Sequence, residues 1–157
     1  MIIENFLEIN AMHLQIVTPE RTVFDGEIDS ATLPTEKGEI TVLKDHIPLI
    51  STLTSGVITL KKDKEEIFMA SSGGFVQVLP ESSVKVLADT AEKAEELTEE
   101  EVEKAKKKAE ELVQEKRHID EESYISALGS LERELARLKA IRRRKERKFE
   151  EGPPCDL

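Results

Sequence analysis

Glycine and proline are concentrated in the first half of the chain, and this distribution limits the possible folds more than any other feature. Five of the seven glycines and four of the six prolines precede residue 81, whereas residues 82–151 contain no proline and one glycine, Gly129. Because both residue types interrupt helices, the first part favours short strands joined by turns and the second favours long helices. The 157 residues suffice for one ordinary domain or a small domain with an appendage, and not for a two-lobed enzyme.

The first part contains segments typical of β-strands. Several of them alternate apolar with polar residues, and no helical segment lies between them, which favours an all-β antiparallel sandwich or flattened barrel. The stretch Ser71-Ser-Gly-Gly-Phe is interpreted as a tight hairpin turn that needs glycine dihedrals. The predicted strands are residues 13–17, 21–24, 28–33, 39–43, 56–61, 66–70, 75–79 and 83–87.

The second part has the periodicity of two helices. Thr98 and Glu101 form a capping-box pattern that starts a first helix, which is expected to end near residues 117–119. Asp120 can cap a second helix over residues 121–149. The apolar stripes are Val102, Ala105, Ala109, Leu112 and Val113 on the first helix and Tyr124, Leu128, Leu131, Leu135, Leu138 and Ile141 on the second. The two stripes predict an antiparallel helical hairpin whose contact is weak compared with the sandwich core, so that it could open.

The chain therefore divides into two domains with flanking ends. The predicted parts are a disordered N-terminal extension (1–11), a β-sandwich domain (12–91), a two-helix hairpin (92–150) and a disordered tail (151–157). The lone cysteine, Cys155, lies in that tail, so no disulfide forms within the chain and a reducing compartment fits. The apolar runs are too short to span a membrane and the start lacks the basic flank of a signal peptide, which predicts no membrane insertion and no export.

The net charge of −10 argues against nonspecific nucleic-acid binding by the chain as a whole. Basic residues nevertheless outnumber acidic ones near the C-terminal end, where residues 137–148 contain eight basic residues and one acidic residue. RNA binding through this run is an alternative, but the run lacks the interleaved aromatic residues that stack on bases.

No catalytic motif is present. The chain lacks G-x-S-x-G, the phosphate-binding G-x-x-x-x-G-K-[ST], H-E-x-x-H and any cysteine spacing for zinc. His13, His46 and His118 are scattered over a predicted strand, a loop and a helix end. The sequence therefore predicts no catalytic residue, no metal site and no cofactor.

Several segments, taken in order and spacing, resemble one known family. They are Leu14-Gln-Ile-Val-Thr-Pro, Val23-Phe-Asp-Gly, Gly38-Glu-Ile-Thr-Val-Leu, His46-Ile-Pro-Leu-Ile, Ser72-Gly-Gly-Phe-Val-Gln-Val and Val84-Lys-Val-Leu-Ala-Asp-Thr-Ala. From about residue 12 to residue 148 the chain resembles the epsilon subunit of bacterial F-type, proton-translocating ATP synthases. The resemblance implies a sandwich of about ten short strands followed by a helical hairpin.

The same resemblance implies a function without catalysis. It predicts a central-rotor subunit that binds the gamma subunit and the c-subunit ring and couples ring rotation to ATP synthesis. Glu39 matches the loop acid that touches the c ring, and His46 matches a histidine on the side that faces gamma. The implied location is peripheral, at the cytoplasmic face of the bacterial inner (plasma) membrane.

The resemblance also implies inhibition of ATP hydrolysis by an extended hairpin that reaches the alpha/beta catalytic hexamer. The residues expected to face an acidic segment of the beta subunit are Arg142, Arg143, Arg144, Lys145, Arg147 and Lys148. Some family members bind ATP through Ile/Leu-Asp-x-x-Arg-Ala at the start of the first helix. Here Thr98 replaces the acid and Glu101 replaces the arginine, so no tight nucleotide site is predicted. A weak site formed by arginines of the second helix is left open.

A protein of another class is the alternative. In it, a free-standing adaptor would bind one protein through the sandwich and a second through a coiled coil of the hairpin. The mass of the assembly after mild extraction separates the two, because a rotor subunit belongs to a large membrane-attached complex.

Overall fold

The computed structural model describes residues 10–152 of the chain. The β-strands are β1 (Met12–Val17), β2 (Thr22–Ile28), β3 (Ser30–Thr35), β4 (Gly38–Leu43), β5 (Leu49–Lys62), β6 (Glu65–Leu79), β7 (Ser83–Ala88) and β8 (Ala91–Lys93). A 3-10 turn (Ala94–Glu96) leads to the helices α1 (Glu99–Lys116) and α2 (Glu121–Glu150). The disorder predicted for the two ends concerns mainly residues 1–9 and 153–157, Cys155 included, which lie outside the described residues.

The strands form a sheet of order β2-β1-β7-β6-β5-β3-β4, and β8 pairs with β6. The pairs recorded for residues 10–152 are antiparallel except β1 with β7, which is parallel. The long strand β6 pairs with β8 through Met69–Ser71 and with β7 through Gly74–Leu79, so one strand serves both regions of the sheet. The predicted sandwich followed by two helices is confirmed, with eight strands in the described part.

The largest differences from the predicted strand boundaries lie in β5 and β6, and both arise because these two strands pair with each other over most of their length. Smaller differences concern β2, which extends to Ile28, and β3, which begins at Ser30. The structure has one 15-residue strand where the sequence predicted strands 66–70 and 75–79 with a hairpin turn between them. Its partner β5 begins at Leu49, seven residues before the predicted strand, and pairs with β6 along most of its length. Gly73 and Gly74 do have positive φ angles, 111° and 130°, but these dihedrals accommodate an irregularity within a strand and not a chain reversal.

Alternation of side chains builds part of the sandwich core. On β7, Val84, Val86 and Ala88 are buried, whereas Lys85 and Leu87 point outward. β3 and the middle parts of β5 and β6 instead bury consecutive residues. The strands together form one cluster whose fully buried members include Leu14, Ile16, Leu33, Val42, Ile58, Leu60, Met69 and Val76. Each large side chain in such a core contributes roughly 1.5–3 kcal/mol of burial, which makes this cluster the main source of stability.

The helix boundaries agree with the sequence, but the first cap does not. Thr98 is the N-cap of α1, yet its side chain makes no capping hydrogen bond, so the predicted capping box is absent. Three glutamates in the first turn stabilise this helix start instead, because their charges face the positive end of the helix dipole. Asp120 caps α2 as predicted, and its Oδ1 accepts a 2.7 Å hydrogen bond from the Ser123 backbone N–H. That hydrogen bond lowers the pKa of Asp120 below its ordinary value.

The residues that α2 buries against the sandwich are smaller than those of its predicted apolar stripe. Ala136 and Ala140 pack against Val57, Phe68 and Ala70 of the sandwich. Leu135, which belongs to the predicted stripe, is 45% exposed. Val102 of α1 and Leu138 and Ile141 of α2 form a buried cluster. The hairpin therefore packs on the sandwich through alanines, which bury little apolar area.

Removal of the Asp120 cap is expected to loosen only the start of α2. Asp120→Ala deletes the acceptor for the Ser123 N–H, so hydrogen exchange of that amide should accelerate roughly three- to tenfold. Asp120→Asn keeps a capping oxygen and serves as the control, with exchange close to that of the native chain. Exchange of the Ser123 amide that is unchanged in both variants would contradict the role of the cap.

Candidate functional site

Glu39 is the second residue of β4, one residue after the two-residue turn that joins β3 to β4. The carboxylate is exposed, and its Oε1 accepts a hydrogen bond of 2.9 Å from Nη2 of Arg143 near the end of α2. Glu39 therefore touches the hairpin in this conformation, a contact that sequence reasoning did not predict.

His46 lies beyond the other end of β4, in the loop that leads to β5. Its backbone N–H donates to the Leu43 carbonyl at 3.1 Å, and its ring Nδ1 lies 2.7 Å from the Ile47 carbonyl oxygen. Asp45, with a φ angle of 62°, is tied to Ser82 by hydrogen bonds. The structure thus holds His46 in a braced loop and does not bring it together with Glu39.

Large apolar side chains occupy outward positions on four neighbouring strands. The register places Val17, Leu87, Phe75 and Thr52 in one row across the sheet, and Ile50 lies on the same face two residues before Thr52. Ile50, Phe75 and Leu87 are 73%, 56% and 59% exposed. We call Val17, Ile50, Phe75 and Leu87 the apolar patch.

Sequence reasoning missed the apolar patch, although a signal existed. In a strand with one buried face, apolar residues recur at every second position. Val86, Leu87 and Ala88 instead follow one another in β7, so that both faces carry apolar side chains. Ile47, in the loop beside His46, is a further exposed apolar side chain. Contiguous exposed apolar residues of this kind mark interaction sites.

The six basic residues singled out in the sequence occupy the last turns of α2. We call this set, Arg142, Arg143, Arg144, Lys145, Arg147 and Lys148, the basic end. Three of its members form ion pairs with acids elsewhere in the chain: Arg143 with Glu39, Lys145 with Glu99, and Arg147 with Glu66. The other three form no ion pair with residues 10–152 in the structure. The folded hairpin thus engages half of the basic end.

The stretch that differs from the nucleotide motif lies at the junction of the 3-10 turn and α1. Leu97 ends the turn, and Glu101 lies in the first turn of α1, where it is exposed. A carboxylate at this position repels phosphate. Within residues 10–152 no three His, Cys, Asp or Glu side chains are grouped so as to hold a metal ion. None of the described helices is long and apolar enough to cross a bilayer.

Comparison with known proteins agrees with this architecture. Residues 11–94 match the family model described as ATP synthase, Delta/Epsilon chain, beta-sandwich domain. The ATP synthase epsilon chain of Dichelobacter nodosus is 42% identical over 99 residues, covering 62% of this chain and 68% of that one. The epsilon chain of Chromobacterium violaceum is 36% identical over 135 residues, covering 85% and 94%.

Solved structures extend the likeness of the fold to the helices. A chain of the Euglena gracilis mitochondrial ATP synthase aligns with a TM-score of 0.68 and 23% identity, covering 78% of this chain and 76% of that one. A chain of the Tetrahymena thermophila mitochondrial ATP synthase central stalk and c-ring structure aligns with a TM-score of 0.57 and 13% identity, covering 83% and 96%. At these identities the likeness concerns the fold alone.

Proposed function

This chain belongs to the ATP synthase delta/epsilon family, and from that premise we propose that it is a non-catalytic subunit of the central rotor of an F-type ATP synthase. In this role it joins the gamma subunit to the c ring, couples ring rotation to ATP synthesis and lies peripherally at the cytoplasmic face of the bacterial inner membrane. The observation that carries the proposal beyond family membership is the apolar patch, an uncovered surface on an otherwise compact sandwich.

The apolar patch is the proposed gamma-binding surface. Exposed isoleucine, leucine and phenylalanine side chains on a rigid sheet suit a permanent protein interface, because their burial provides affinity without reordering the backbone. Ile47 and the braced loop that holds His46 adjoin β5 and extend this surface. Glu39 is proposed to contact the c ring from the start of β4, beside the β3–β4 turn.

A carboxylate in the apolar patch is expected to weaken binding to gamma strongly. Phe75→Glu would place an unpaired charge in the interface, which should weaken binding by more than about tenfold. Lys64→Glu, in the turn between β5 and β6, is the matched control and should bind normally. The measurement is co-purification of the tagged chain with a membrane-extracted complex. Recovery of the native chain alone, without ATP synthase subunits, would refute the rotor role and favour the adaptor alternative.

The basic end is proposed to restrain ATP hydrolysis when the hairpin extends toward the alpha/beta hexamer. Helix α2 has 30 residues, or about 45 Å, which gives it the reach for this position. Its three ion pairs with Glu39, Glu66 and Glu99 involve partly exposed side chains, and such pairs contribute about 0–1 kcal/mol each. The basic end can therefore exchange acids of its own chain for acids of a partner with little loss of free energy.

A further inference from the structure

Arg137 connects α2 to the sandwich through a set of charged contacts that lies apart from the basic end. Its Nε and Nη2 donate to the two carboxylate oxygens of Glu92 in β8, at 2.5 and 2.8 Å. Its Nη1 donates to Oε1 of Glu134, one turn earlier in α2, at 2.7 Å. Two parallel bonds to one carboxylate fix both the distance and the orientation of the helix, since a guanidinium group is planar.

Arg137 is less exposed than the two arginines of the basic end that pair with the sandwich, Arg143 at 28% and Arg147 at 35%. The exposed fractions are 10% for Glu134, 21% for Arg137 and 31% for Glu92. Burial opposes the charge of the guanidinium, but the hydrogen bonds with Glu92 and Glu134 outweigh it and raise the pKa of Arg137. The attraction is screened less here than at the surface, so these contacts hold the hairpin more firmly than those of the basic end.

The charges of Glu92, Glu134 and Arg137 do not balance, so the stability of the set depends on Arg137. Two carboxylates share one guanidinium, and the Oε2 atom of Glu134 is buried without a hydrogen-bond partner among the described residues. Without the arginine, two negative groups would face each other in a partly buried site. Removal of one partner from such a set is far more destabilising than removal of all its charges together.

The neighbouring apolar contacts cannot replace this connection. On either side of Arg137 the helix rests on the sandwich through Ala136 and Ala140. Alanines bury little area and tolerate a shift along the sheet, so they specify the position of the helix weakly.

We propose that Glu92, Glu134 and Arg137 form an ionic latch that holds the hairpin in its folded position on the sandwich. Release of the latch places all three side chains in water, so the open state carries no buried charge. The latch is a property of the isolated chain. Only its consequence for ATP hydrolysis rests on the proposed function, so a failure of either idea leaves the other testable.

The test measures how often the hairpin leaves the sandwich in the full-length chain. Val57 is fully buried and packs with Ala136 and Ala140. In a chain with Cys155→Ser, the thiol of Val57→Cys therefore reacts with a labelling reagent only when the hairpin opens, and its rate reports the open population. Val76→Cys, in the sandwich core, reports opening of the sandwich itself.

Arg137→Met should accelerate labelling at position 57 at least about tenfold, because it leaves two partly buried carboxylates without a positive partner. Labelling at position 76 should not change. Arg133→Met, on the exposed side of the same helix, is the matched control and should leave both rates unchanged. Adding Glu92→Gln and Glu134→Gln to Arg137→Met removes all the charges and should restore the rate at position 57 to within about threefold of the native value.

Three results would overturn the latch. One is an unchanged rate at position 57 in Arg137→Met. Another is equal acceleration at positions 57 and 76, which would indicate general destabilisation. The third is a neutral triple variant that opens as readily as Arg137→Met, since packing of the arginine stem would then be the cause.

Discussion

Alanine at all six positions of the basic end is expected to raise the rate of ATP hydrolysis by the assembled synthase roughly three- to tenfold. One exposed ion pair is worth under about 1 kcal/mol, but several acting together on one extended helix reach a few kcal/mol, enough to change a conformational equilibrium tenfold or more. The same variant should lose most of the salt dependence of hydrolysis, because the interactions that salt screens are gone. The measurement is ATPase activity of the purified complex over a range of ionic strength.

Helix α1 offers a control of equal charge. It and its C-cap carry six basic residues, Lys104, Lys106, Lys107, Lys108, Lys116 and Arg117. Their replacement by alanine changes the net charge by the same amount without touching the basic end, and hydrolysis should stay near the native rate. Equal rates for the native complex and the basic-end variant would assign these side chains to ordinary surface charge. Equal activation by both variants would point to net charge and not to position.

Gly74→Ala is expected to prevent folding of the sandwich or to destabilise it by more than about 3 kcal/mol. A Cβ atom on Gly74 would lie 1.9 Å from the carbonyl oxygen of Leu87 and 2.8 Å from Cα of Ala88, and both are backbone atoms that cannot rotate away. The φ angle of 130° adds backbone strain, because L-residues with a side chain rarely adopt this conformation. Calorimetric unfolding of the full-length chain measures the effect.

Gly129→Ala provides the opposite case in the same chain. This glycine lies inside α2, and an added Cβ would meet nothing within 4 Å. The substitution should stabilise the helix by about 0.5–1 kcal/mol, because alanine has the higher helix propensity. A Gly74→Ala chain that unfolds near the native temperature would show that β7 yields to the added atom and would refute the constraint.

The sequence predicted the Asp120 cap correctly and the Thr98 capping box wrongly, although each prediction concerned only near neighbours in the chain. Asp120 begins α2 because its side chain reaches the Ser123 N–H three residues later, a contact that needs no other part of the chain. The sequence predicted strand boundaries less well where these depend on a partner strand. Ser71–Gly74 has the composition of a turn, and only the pairing of β5 with β6 keeps it within a strand.

The same distinction applies to the candidate sites. The sequence showed the basic run and the family resemblance assigned its six residues to a partner, whereas the acids that they meet within this chain could not be identified. Arg143 pairs with Glu39 from 104 residues away, and Arg137 pairs with Glu92 from 45 residues away. Whether Glu39 touches the c ring and His46 faces gamma stays a prediction, because the structure describes a single chain.

By itself, the sequence determined the local elements: strands from alternating side chains, helices from their periodicity and cap, and the boundary between them from the loss of glycine and proline. The tertiary structure decided which of two apolar strand faces became the core and which became the apolar patch, and which carboxylate each arginine meets. Local elements depend on interactions within a few residues, so the order of neighbouring residues specifies them. Burial and ion pairing between distant segments depend on how those elements pack in three dimensions, which no short stretch of this chain specifies.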